Sequence, residues 1–93
     1  MTTSPQLSDA EIAGRLGTWT REGNTITKEF VFAGFTAATQ FIAKLAPVAD
    51  ALDHHPDVQL SRYKHVKIIL TTHSAGGLTQ KDFELAAQID RLS

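Results

Sequence analysis

The residues of this 93-residue chain best suited to moving protons lie between Asp50 and Asp82: His54-His55-Pro56, then Tyr63 and His65, then Thr71-Thr72-His73, with Asp82 closing the stretch. Imidazole populates both its charged and neutral forms near neutral pH, so a cluster of histidines supplies a proton donor and a proton acceptor together. One charged imidazole disfavours a second beside it, which helps divide the two roles. Thiolate catalysis, disulfides and iron-sulfur clusters are excluded, because the chain has no cysteine.

On spacing alone each of these residues also has a plainer role. His54 and His55 stand where a long helix should end, just before Pro56, whose ring pushes its predecessor out of helical conformation. A helix C-terminus favours a positive charge by ~0.3–1 kcal/mol, so the pair is equally a surface C-cap. His73 closes a strand and opens a glycine loop, a place where a rigid sheet can present a side chain to a cleft. Asp82 follows Thr79 by three residues and reads first as a capping-box acid, and second as a carboxylate that orients an imidazole. Tyr63 is expected to be half-buried sheet packing and His65 a surface residue. A zinc site built from the three histidines with Asp82 as base is disfavoured, since adjacent His54 and His55 project in different directions. Metal ligands are therefore expected to be none.

Elements that must position these residues follow from periodicity and turn chemistry. Residues 1–7 are polar and carry Pro5, and are expected to form a flexible arm ahead of a single domain over residues 8–93. Ser8-Asp9-Ala10-Glu11 fits a capping box that opens a short helix to about Leu16, with Ile12 and Leu16 inward and Gly17 as its stop. Thr18 to Phe32 reads as a hairpin around Glu22-Gly23-Asn24, with Ile26, Lys28, Phe30 and Phe32 on one face. Lys28 is the discordant residue there, and its stem can snorkel to the edge.

Gly34 ends that strand, and Phe35 to about Leu52 predicts the longest helix, with Phe35, Ala38, Ile42, Leu45, Ala49 and Leu52 as its inward stripe. Ala37, Phe41 and Val48 widen the stripe, either for a broad core or for a subunit interface. Pro47 removes one helical hydrogen bond and is expected to kink the axis. Val58 to Ser61 and Val66 to Thr72 predict two more strands, the second with Val66, Ile68 and Leu70 inward; parity points His73 away from that face unless a bulge intervenes. Ser74 to Leu78 is a loop, and Thr79 caps a last helix to about Leu92 that buries Leu85, Ala86, Ile89 and Leu92, with Asp82 on the same side. The order is helix, two strands, helix, two strands, helix: an α+β fold with a four-stranded antiparallel sheet and its helices on one face.

Bulk composition narrows the partners. A net charge of -1 offers no field for nucleic acid or an anionic membrane, and no apolar run approaches the ~20 residues of a membrane helix. The N-terminus does not read as a signal peptide, so a cytoplasmic protein is the expectation.

Taken together, Asp50, His54-His55-Pro56, Tyr63, His73 and Asp82 at these intervals resemble the signature of the pterin-4a-carbinolamine dehydratases. The likeness extends to Trp19 before the hairpin, Phe30-Val31-Phe32 running into Phe35 and Phe41, and Leu70-Thr71-Thr72-His73 leading to Gly76-Gly77-Leu78-Thr79 and Asp82-Phe83, so it spans nearly all of the chain beyond the arm. It implies a dehydratase that removes water from a 4a-hydroxytetrahydropterin to give quinonoid dihydropterin in tetrahydropterin recycling, with no metal or redox cofactor. By the same resemblance His54, His55 and His73 line the pterin pocket, His54 and His73 are the acid and base, His55 is more concerned with binding, and Asp82 supports them. It further implies a homodimer or homotetramer and a link to an aromatic amino acid hydroxylase. Relatives of this family also serve as dimerisation partners for other proteins, including a transcription factor in animals, so a non-catalytic scaffold is the alternative. The pattern departs at Val58, where many relatives carry tryptophan.

Overall fold

The computed structural model describes residues 5–93, so the first four positions of the expected arm lie outside the described residues. In chain order the elements are α1 (Asp9–Arg15), β1 (Thr20–Glu22), β2 (Thr25–Val31), α2 (Phe35–Leu52), β3 (Asp57–Ser61), β4 (His65–Leu70), a 3₁₀ turn (His73–Ala75) and α3 (Gln80–Leu92). The sheet is antiparallel throughout, in the order β1-β2-β4-β3. The expected α+β architecture and element order therefore hold.

Period-two patterning fixes which face is covered. Ile26 and Phe30 of β2 pair with Leu70 and Val66 of β4, and all four side chains are buried. They pack with Ala38, Phe41 and Leu45 of α2 and with Leu85, Ala86 and Ile89 of α3 in one core, to which α1 adds Ile12. The opposite face of the sheet is the more polar one, with Glu29 directly across from Lys67. No helix among the described residues is long and apolar enough to cross a membrane.

Local chemistry sets the helix ends as expected. Ser8 and Glu11 form a reciprocal capping box at α1, Ser8 N–H donating to Glu11 Oε1 at 3.0 Å and Glu11 N–H to Ser8 Oγ at 3.2 Å. Thr79 and Asp82 do the same at α3. α2 runs unbroken through Pro47 to Leu52 and is capped by Asp53, which adopts a left-handed conformation (φ 50°) while its N–H and that of His54 return to carbonyls of the last turn.

Several expectations need correction. Phe35 is 56% exposed, because α2 first meets the core one turn later, at Ala38. Phe41, read as surplus width on the stripe, is instead central to the core, where its ring lies 5.0 Å from Phe30 and 4.9 Å from Phe32. Tyr63 is 59% exposed: it sits in the β3–β4 turn, where Arg62 and Tyr63 both take positive φ and direct the ring outward. β4 stops at Leu70, two residues earlier than expected, since Thr72 pairs only with Gly77 across the turn that follows. Lys28 reaches out of the apolar face to a defined partner, with Nζ 2.7 Å from Asp90 Oδ1 on α3 and 2.7 Å from Thr18 Oγ1.

Candidate active site

The left-handed turn at Asp53 drops His54 off the end of α2 and into the protein, where it is 9% exposed. Its Nε2 lies 2.6 Å from Oδ1 of Asp82, which is fully buried at the start of α3. Asp82 thus unites the two roles that spacing left as alternatives: it caps α3 and it holds an imidazole.

The second oxygen of that carboxylate is equally committed. Asp82 Oδ2 accepts from the Thr79 backbone N–H at 2.9 Å and from the Thr72 hydroxyl at 2.8 Å. Because Thr72 spends its hydrogen on Asp82, the Thr79 hydroxyl is the donor in the 2.8 Å contact between the two threonines, and Thr79 Oγ1 in turn accepts from Lys81 N–H at 3.2 Å. Donors are thus ranked in one direction toward the carboxylate, which as an ionised group only accepts. The hydrogen between His54 and Asp82 accordingly belongs to His54 Nε2, which leaves Nδ1 as the free ring nitrogen. Nδ1 has no hydrogen-bond partner among the described residues.

His73 stands next to this group, one residue beyond Thr72, as the first residue of the 3₁₀ turn. It is exposed. His55 is placed differently: it is exposed, its Nε2 lies 2.8 Å from Asp50 Oδ1, and it borders an apolar groove of about 150 Å³ formed by Ile42, Leu45, Ala46, Ala49, Pro56 and Val58. His65 is half-buried at the outer face near Glu29, at 3.5 Å. Among the described residues, no group of three or more histidines and carboxylates converges as a metal site would require.

Thr72 and Thr79 were missed as members of the site. The signal was present for Thr72, since the inward parity of Val66, Ile68 and Leu70 continues to it and puts a hydroxyl where an aliphatic group would otherwise be.

A buried carboxylate that holds one nitrogen of an imidazole is an arrangement suited to acid–base chemistry, carried here on a small α+β domain. The chain belongs to the pterin 4 alpha carbinolamine dehydratase family, whose model matches residues 5–92. A protein of Roseiflexus sp. (strain RS-1), provisionally named as a pterin-4-alpha-carbinolamine dehydratase, is 52% identical over 90 residues, covering 94% of this chain and 96% of its own. A similarly named protein of Sulfolobus acidocaldarius is 43% identical over 94% of this chain and 98% of its own. Among solved structures, one described as a transcriptional coactivator/pterin dehydratase from Brucella melitensis superposes with a TM-score of 0.87 at 32% identity, over 94% of this chain and 97% of that one. A pterin dehydratase-like protein described as a RuBisCO assembly factor in the alpha-carboxysome shares the fold, with a TM-score of 0.68 at 23% identity over 81% of this chain and 88% of its own.

Proposed function

We propose that this protein removes water from a 4a-hydroxytetrahydropterin, giving quinonoid dihydropterin by histidine general acid–base catalysis. The C4a–O bond breaks as a proton is delivered to the departing oxygen, water leaves, and N5 gives up its proton to form the C4a=N5 double bond. One imidazole donates and the other accepts. The observation that carries the reading is the anchoring of His54 by Asp82, whose other oxygen is bonded by Thr72, the residue just before the 3₁₀ turn that carries His73. Family membership and the similarly named relatives support the same chemistry. His54 and His73 are then the proton-transfer pair, His55 contributes to pterin binding, Asp82 holds His54, and no metal or redox cofactor is needed.

Stopped-flow ultraviolet absorbance of the dehydration tests this directly. Wild type should exceed the spontaneous rate, and His73→Ala should lose about 10²-fold or more of the acceleration, the range of a well-placed proton transfer. Folded wild type that leaves the spontaneous rate unchanged defeats the proposal.

On the same reading the protein is cytoplasmic, serves tetrahydropterin recycling beside an aromatic amino acid hydroxylase, and works as a homodimer or homotetramer. Val58 and Leu60 favour assembly, being exposed on the open edge strand β3. That open apolar edge also favours a second reading, a protein-binding module on the same fold. Retention of biological activity by His73→Ala would select it.

A further inference from the structure

His54 has a carboxylate to hold it, whereas His73 has no side-chain partner among the described residues. Its position depends on the turn that carries it, and that turn is slight. The turn is closed by Ala75 N–H to Thr72 O (3.0 Å), Gly76 N–H to His73 O (3.0 Å) and the paired bonds between Thr72 and Gly77 (3.1 and 3.3 Å). A single 3₁₀ turn of this kind has poor hydrogen-bond geometry and little stability of its own.

Outside help comes from the other end of the chain. The Gln6 side-chain amide donates to Ala75 O, the last carbonyl of the turn, and the next residue, Leu7, donates its N–H to Leu78 O at 2.9 Å. These two bonds bracket Gly76 and Gly77, and the Gln6 side chain lies directly over both glycines. A Cβ on Gly76 would stand 3.2 Å from Gln6 Nε2, and one on Gly77 would stand 3.3 Å from Gln6 Cδ. Gly76 needs glycine in any case for its left-handed backbone (φ 73°). Gly77 has no positive φ, and its missing side chain leaves room for the Gln6 amide. A residue near the N-terminus and a glycine beside the site are thus fitted to one another.

We propose that Gln6 is a positioning residue for His73, strapping the 3₁₀ turn so that the exposed imidazole is held at the rim of the site. This rests on the dehydratase reading of His73 for its catalytic consequence, though not for the strap itself. Gln6 is exposed, so its replacement should leave the core intact.

The test is a double-mutant cycle read by stopped-flow kinetics, with amide relaxation measured by NMR on the same full-length proteins. Gln6→Ala should lower kcat about tenfold, below the ~10²-fold cost of a 1 Å misplacement, while KM moves less than about threefold. Gln6→Ala should cost nothing further in a His73→Ala background, and Gly77→Ala, which crowds the Gln6 amide, should reproduce the effect without adding to it. Equal losses in both backgrounds would overturn the proposal, because Gln6 would then act without His73. If wild type shows no dehydration, the functional reading fails separately and relaxation decides the strap. Increased fast motion confined to residues 74–77 in Gln6→Ala supports it, and unchanged motion there overturns it.

Discussion

Asp82 sits at the centre of the site because its two oxygens face different demands. Oδ1 fixes His54, while Oδ2 is held by the Thr72 hydroxyl and the Thr79 N–H. Asn in its place can still accept one of these bonds, but it brings an N–H₂ that must donate, and toward His54 this reverses the tautomer. Asp82→Asn should therefore lower kcat by about 10²–10⁴-fold with the fold retained, the effect seen when a histidine loses its orienting carboxylate. Imidazole ¹⁵N shifts should report the proton moving from Nε2 to Nδ1. His54→Ala should likewise depress kcat more than His55→Ala, since His55 pairs with exposed Asp50 away from this group. At this scale the sequence was legible where type and parity agreed. His54, His73 and Asp82 could be singled out, but the joining of His54 to Asp82 through space could not be read from spacing. Tyr63 was misread because Arg62 and Tyr63 form a turn with positive φ and none of the glycine or asparagine that usually announces one.

Elements were read almost whole, because their ends are written in capping chemistry. α1 gives this a pH signature. The Ser8 backbone N–H, with its hydroxyl second, holds the Glu11 carboxyl below the usual glutamate range. A carboxyl lowered in the folded state contributes its stability in full above the unfolded value of about 4.3, and loses it as pH falls through the lower folded value. The stability difference between wild type and Glu11→Gln should accordingly be widest above that range and close in acid, as thermal melts across it would show. A carboxyl ¹³C titration of Glu11 should show the depressed midpoint. The boundary least legible was the end of β4, where the ladder gives way to the Thr72–Gly77 bridge and a 3₁₀ turn. Gly76→Ala should strain that turn by about 1–2 kcal/mol, the cost of left-handed backbone for a residue with a Cβ, and urea unfolding would measure it.

Across the whole molecule, the sheet and α3 are joined by a polar contact that no local pattern announced. Lys28 looked misplaced on an apolar face; its partner, Asp90, comes from the last helix and also accepts from Trp19 Nε1 at 3.2 Å. Asp90→Ala would take the carboxylate from both the Lys28 ammonium, which keeps only the Thr18 hydroxyl, and the Trp19 indole N–H at the edge of the core. Lys28 and Asp90 are partly solvated, so the cost should be about 1–2 kcal/mol. For a domain of this size that corresponds to a fall in Tm of about 4–16 °C, readable by calorimetry. Lys28→Met, which removes the charge along with its need for a partner, should cost less. Hydrophobic periodicity was enough to find the layers of this fold, but the links between distant elements depend on tertiary proximity and became visible only in the structure.

The double duty of Asp82 bears on how such chains change over generations. A lineage that kept the fold for another purpose would remain under selection to retain a side-chain acceptor at this position, because the first turn of α3 is capped through it. His73, which is exposed, would be free to drift, whereas His54 is buried as the partner of the carboxylate and would tend to stay with it. Among descendants of a common ancestor, His73 should therefore record whether a chain is still an enzyme, and the Asp82–His54 pair should record chiefly that it still folds.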